Sequence, residues 1–396
     1  MNPRTKPHRK TSIALLTGMV GLGLLGGALG GCRSQDSNSW KSATDLDKKY
    51  IVGPTLAGQL GLRCVWQQDV PVKDAQIKTV ADLDGDILTV DTDNRVTLLQ
   101  TDDGNKIWHS APMPRKEQIL GMDRIDSNGN NRMIITTDTD IFVLDGNTGE
   151  MVNRQNLPNA PITDVARYRS ELIFGGIDGR VIFHNAPVGY ELRANSMRGQ
   201  VSATPVVHDN EVVAVSNKGE VLLLNAQDAS RLWSRTLTGG IEAKPAFNDY
   251  GIFVSTLGQS IWCLDSGNGD VKWKYFTESP LKTGPTALGD RIFQYVPNEG
   301  LICFEADPKD SPRGKALWTN SKITGDVTTV IGNNLVLWDK DDKMITLVDA
   351  DRGDTKLELK LPKVRDLFAF RGYDNRLTVM VTSTDGTIQR LATKNR

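Results

Sequence analysis

From residue 62 onward the chain is built of short apolar runs, each about six residues long, broken by clusters of Gly, Asn and Asp. Gln259 to Leu264 predicts a strand, Asp265-Ser266-Gly267-Asn268-Gly269 a tight turn, and Asp270-Val271-Lys272-Trp273 the start of a return strand. The pattern repeats. With Ile261 as anchor, equivalent apolar positions fall at Val96, Ile141, Val181, Val221, Ile261, Leu301, Met344 and Ile388, at spacings of 45, 40, 40, 40, 40, 43 and 44 residues.

Four strands of about six residues and four turns of about four fill one such period. Pro205, Pro245 and Pro285 stand sixteen residues before their anchors. Proline has no N–H for a strand ladder, so these positions predict strand starts. Val212-Val213-Ala214-Val215 and Gly251-Ile252-Phe253-Val254 then read as second strands, and Trp108, Trp233, Trp273 and Trp318 mark the fourth.

A lone four-stranded sheet of this composition has two apolar faces to bury. Stacking eight of them around an axis buries both, which predicts an all-β fold: an eight-bladed β-propeller of four-stranded antiparallel blades over residues 61–396. The eighth repeat stops after its third strand at Gly386 to Leu391, while Leu62 to Val70 supplies an unmatched Trp-bearing strand, Trp66 included. The N-terminal strand is therefore expected to complete the last blade and close the ring, with the outer Trp side chains wedged between blades.

Residues 1–31 join a basic start (Arg4, Lys6, Arg9, Lys10) to an apolar, Gly-rich run and a small-residue site, the pattern of a signal peptide. Leu29-Gly30-Gly31-Cys32 resembles the lipobox of bacterial lipoproteins. That resemblance implies cleavage before Cys32 and lipidation of Cys32. Arg33, in place of an Asp, implies sorting to the outer membrane, facing the periplasm. Residues 32–60, rich in Ser, Asp, Asn and Lys, read as the lipidated Cys and a flexible tether, with one helical turn near Asp45 to Tyr50.

Charge is nearly balanced, 47 Lys and Arg against 48 Asp and Glu, with no basic stripe for nucleic acid. The letters Gly21-x-Gly23-x-x-Gly26 follow no strand and lie in the signal segment, so they indicate no dinucleotide site. Cys263 and Cys303 hold the same place in adjacent repeats and point the same way around the ring, which argues against a disulfide; Cys64 reads as a small residue of the closing strand. His8, His109, His184 and His208 show no ligand spacing, and no catalytic set assembles. Two hairpin loops offer oxygen donors at alternate positions, Asp82, Asp84 and Asp86 in one and Asp126, Asn128 and Asn130 in the other. These are candidates for calcium, but both loops lack a distal Glu and Asp and Asn are what tight turns prefer, so no metal is assigned.

Gly219 to Ala226 with Leu232-Trp233, and Ile261 to Trp273, resemble the PQQ-like propeller repeat. It is shared by quinoprotein dehydrogenases and by the BamB family of lipoproteins of the outer-membrane β-barrel assembly machine. Ser196-Met197-Arg198-Gly199 is similar to the loop with which that family docks on BamA, and Gly240 to Pro245 corresponds to its acidic segment. The resemblance implies that Met197, Arg198 and Glu242 bind a BamA-like partner. Gly240 stands where the pattern has a second carboxylate, and Asn195 replaces an apolar residue. The function expected is a non-catalytic, lipid-anchored periplasmic scaffold for outer-membrane protein assembly, without cofactor. The alternatives are another periplasmic interaction or sensing role for the same propeller, and a PQQ-dependent dehydrogenase. The last of these brings a vicinal Cys pair that this chain lacks.

Overall fold

The structure, a computed structural model, describes residues 43–70, 75–83, 85–127, 129–371 and 377–393. The expected signal segment, Cys32, Asp84 and Asn128 lie outside the described residues. Eight four-stranded antiparallel sheets follow one another along the chain: blade 1 over residues 77–109, then 119–156, 166–196, 206–236, 246–276, 286–320 and 327–360, with blade 8 made of 366–393 and 62–69. Within blades 1 to 7, chain order is also spatial order.

Burial follows strand position, and the sequence shows why. In blade 4 the second strand, Glu211–Val215, has Val212, Val213, Ala214 and Val215 all at 0% exposure, because both of its faces meet a neighbouring blade. The fourth strand, Arg231–Thr236, alternates exposed and half-buried side chains, so it is the outer edge. The first strand is short, Val206–His208, and contacts the first strands of blades 3 and 5, so it lines the axis. Pro205, Pro245 and Pro285 each precede a first strand directly.

Among the described residues, eight apolar clusters form, one at each junction between successive blades. In blade 4, Val212 and Ala214 face blade 3 while Val213 and Val215 face blade 5. The ring closes as the missing fourth strand required. Leu62–Asp69 pairs antiparallel with Thr387–Thr393, placing Trp66 opposite Arg390, and Trp66 then packs with Ile87 and Leu99 of blade 1.

Two expectations are corrected. The seventh anchor is Ile345, not Met344: Trp338 pairs with Ile345 as Val215 pairs with Val221, and Ile345 is 2% exposed while Met344 is half-buried. The letters differ by one step because both are apolar, and only the ladder separates them. The helical turn expected near Asp45 to Tyr50 is helix α1 (Ala43–Lys49), but the residues after it, expected within a flexible tether, form a second helix, α2 (Pro54–Gln59), and pack on the ring. Ile51, Val52, Ala57 and Leu60 pack against the junction of blades 7 and 8, and their burial outweighs the polar composition around them. Val52 is pinned at both backbone groups: its N–H donates to Gln389 Oε1 at 2.7 Å and its carbonyl accepts from Gln389 Nε2 at 2.8 Å.

Candidate functional site

Antiparallel order puts every fourth-to-first connection and every second-to-third turn at one end of the ring, here the connection face. First-to-second and third-to-fourth turns occupy the other end, the turn face. Met197, Arg198 and Glu242 all lie in connections of the first kind, so the fold places them on one surface.

Arg198 is exposed, and the backbone beneath it is held in place. Its N–H donates to the Glu220 carboxylate at 2.5 Å, and Glu220 is itself only 6% exposed. The next turn of the loop rests on Asn217, whose Oδ1 accepts the Gln200 N–H at 3.2 Å. Glu242 is exposed between Ile241 and Ala243, which are 0% and 4% exposed, so this connection alternates inward and outward like a strand.

Met197 is placed differently from the expectation of an exposed contact. It is 8% exposed and packs with Val181 and Phe183 of its own blade and Val201 and Val212 of the next. The position is inward throughout the repeat: Leu157 and Leu237, forty residues to either side, are also buried, and all three N–H groups donate to the same point of the preceding hairpin. Met197 therefore supports the loop from below, and Arg198 and Glu242 are its exposed members. Gly240 also has a structural reason. A Cβ there would stand 2.6 Å from the Asn217 carbonyl oxygen, so this backbone leaves no room for a second acid.

Three exposed apolar residues share the connection face, none of them foreseen from the sequence. Ile162 (43% exposed) lies in a connection, Ile177 (62%) caps a second-to-third turn, and Phe276 (69%) ends the fourth strand of blade 5. Beside Phe276, the Lys274 ammonium sits 3.9 Å from its ring centroid and 4.0 Å from that of Trp262. Partial burial there lowers the Lys274 pKa. The repeat offered the signal for Phe276, since the equivalent letters in blades 3 and 4 are Ser196 and Thr236. Aromatic and aliphatic groups interleaved with both signs of charge make a surface suited to protein contact.

Burial pushes the Cys263 and Cys303 thiols up to about 12, which leaves no nucleophilic thiolate, and both cysteines are free, as is Cys64. His184 is 3% exposed, with Nε2 3.0 Å from Gln155 Oε1. In the two hairpins, the Asp86 carboxylate is bonded by Arg124 and Asp126 Oδ1 accepts the Gly129 N–H at 3.1 Å, the role of a turn residue. Asp82 ends a first strand and Asn130 begins a second strand.

With this geometry in hand, similarity to known proteins is informative. The family model for the outer membrane protein assembly factor BamB matches residues 177–310. BamB from Moraxella catarrhalis superposes with a TM-score of 0.64 at 18% identity, covering 85% of this chain and 98% of that one. Saccharomyces cerevisiae Sqt1 superposes with a TM-score of 0.64 at 11% identity, covering 84% and 99%. At such identities the likeness is one of fold. Tetrathionate hydrolase of Acidithiobacillus ferrooxidans is 24% identical over 143 residues, 35% of this chain and 27% of its own length, so the chain spans about a quarter of that relative. The chain carries a PQQ-like propeller that resembles BamB, and such a fold supports a protein-interaction scaffold.

Proposed function

We propose that this BamB-like propeller is a non-catalytic scaffold, tethered to the outer membrane through lipid on Cys32 and facing the periplasm, that docks a BamA-like assembly protein on its connection face. The observation that carries the reading is the fixed display of Arg198, held over buried Glu220, on the same face as Glu242 and the exposed Ile177 and Phe276. A partner strand or loop would meet the Arg198 cation, the Glu242 anion and flanking apolar groups there. Rigid presentation reduces the ordering cost of binding. Cys32 would carry the acyl chains.

Co-purification with a BamA-like protein tests the reading. Recovery with the wild type and loss with Arg198→Glu supports it; equal recovery with Arg198→Glu overturns it. The mass of the mature protein checks the anchor, since an unacylated Cys32 excludes it.

The tetrathionate hydrolase similarity favours a second, enzymatic reading. Loss of tetrathionate on incubation with the purified protein would support that reading, and an unchanged concentration would remove it.

A further inference from the structure

On the turn face, opposite Arg198, the first-to-second turns of successive blades stand next to one another around the axis. Most of the junctions between blades 3 and 6 are tied there by hydrogen bonds. Tyr168 Oη donates to Asn210 Oδ1 at 2.6 Å between blades 3 and 4, and Asn248 Nδ2 donates to the Gly289 carbonyl at 3.1 Å between blades 5 and 6. Between blades 4 and 5 the tie is His208 Nε2 with Asp249 Oδ1, and these two with Asp209 each offer one donor atom, all within 4.8 Å of one another.

We propose that His208, Asp209 and Asp249 bind one divalent transition-metal cation, of the zinc or manganese class, which bridges blades 4 and 5 at the rim of the axis. Donors held about 2.1 Å from a common ion stand at most about 4.2 Å apart, so a small rotation of the two carboxylates closes the observed group onto a cation. His208 Nε2 already lies 3.0 Å from Asp249 Oδ1. Phe247 packs on the imidazole at 4.7 Å between ring centroids and fixes its direction. Asp209 holds its place through a left-handed backbone, φ 51°, in the turn that pairs His208 with Glu211.

The charge is uncompensated. Among the described residues, Asp249 pairs with the His208 imidazole, and neither Asp209 nor Asp249 forms an ion pair with Lys or Arg. An imidazole nitrogen with two carboxylates suits zinc or manganese, whereas calcium takes an all-oxygen set. Three protein donors leave a coordination position open to water or to a donor from a partner. The neighbouring blades lack the set: their matching turn residues are Tyr168 and Arg169 in blade 3, and Leu288 and Gly289 in blade 6.

Calorimetric titration of zinc chloride, and separately manganese chloride, into the chelator-stripped full chain tests the site. The expected result is binding at one ion per chain, roughly tenfold or more weaker in both His208→Gln and Asp249→Asn, and unchanged in His109→Gln. A zinc-dependent rise in melting temperature, present in the wild type and missing from the two site variants, locates binding in the folded ring. Near-ultraviolet circular dichroism confirms that each variant is folded. The proposal is overturned if the wild type takes neither ion at sub-millimolar concentration, or if both site variants bind as the wild type does.

Discussion

Trp233 of blade 4 and Gly269 of blade 5 share one space: a Cβ on Gly269 would stand 2.7 Å from Trp233 Cε3, while the indole Nε1 donates to the Ser266 carbonyl at 2.8 Å. The relationship recurs with Trp66 and Gly104, Trp108 and Gly149, Trp273 and Gly314, and Trp318 and Gly353. Each Trp hydrogen-bonds the backbone of the next blade. Where Arg193 replaces the Trp, the glycine is replaced as well, by Ala229, and Asn195 Nδ2 makes the reach to the Ala229 carbonyl at 2.6 Å. In these five pairs the wedge is a two-residue device, an indole on one blade against a glycine on the next.

Gly269→Ala should therefore destabilise the ring by about 1–3 kcal/mol through overpacking against the indole. Gly289 also has a positive φ, 55°, but nothing lies within 4 Å of its Cβ position, so Gly289→Ala carries only the left-handed backbone cost of about 1 kcal/mol. Urea midpoints of the two variants compare them, and a Gly269→Ala midpoint no lower than that of Gly289→Ala would refute the wedge.

Gln389 is 0% exposed and satisfies both backbone groups of Val52. Gln389→Leu leaves the buried Val52 N–H without its partner, a cost of about 1–3 kcal/mol, while the carbonyl keeps the Cys64 thiol at 3.3 Å. Hydrogen exchange at the Val52 amide should accelerate in the variant while blades 3 to 6 keep their protection. Uniform acceleration across all blades would mean that the segment is not an independent latch.

Burial lowers the His184 pKa from 6.5 to about 4. The unfolded chain then binds a proton near pH 5 that the folded chain refuses. Its contribution is complete above pH 6.5 and is lost as pH falls from 6.5 toward 4. Buried Asp123 acts in the opposite sense, its pKa raised to about 6 by burial against the pull of Arg167, so it favours the folded state on acidification. Comparing His184→Gln with the wild type isolates the first effect: the variant should lose less stability between pH 6.5 and 4. Imidazole nitrogen shifts should report a neutral ring in the folded wild type at pH 5, and a protonated ring there would contradict the prediction.

Much of this architecture was legible in the letters, because each blade repeats the same physical problem. Pro205, Pro245 and Pro285 marked strand starts for lack of a donor, and an orphan Trp66 strand ahead of an incomplete last repeat foretold the closure. Short-range polarity misled at residues 43–60, where Val52 and Ala57 are buried against a surface that forms only when blades 7 and 8 meet. Met197 could have been placed inward by comparison with Leu157 and Leu237 at the same phase of the repeat. The meeting of His208 with Asp249 was hidden, since the two stand 41 residues apart and adjoin only across a blade junction.

The closing strand bears the rest of the architecture and admits a direct measurement. Trp66 is 6% exposed, and truncating a buried Trp costs about 3–5 kcal/mol. Hydrogen exchange followed by mass spectrometry on the wild type and Trp66→Ala reads both halves of the last blade. Peptides covering 62–69 and 387–393 should be equally protected in the wild type and lose protection together in the variant. Fast exchange of 62–69 in the wild type, with 387–393 still protected, would contradict a ring closed by its own N-terminal strand.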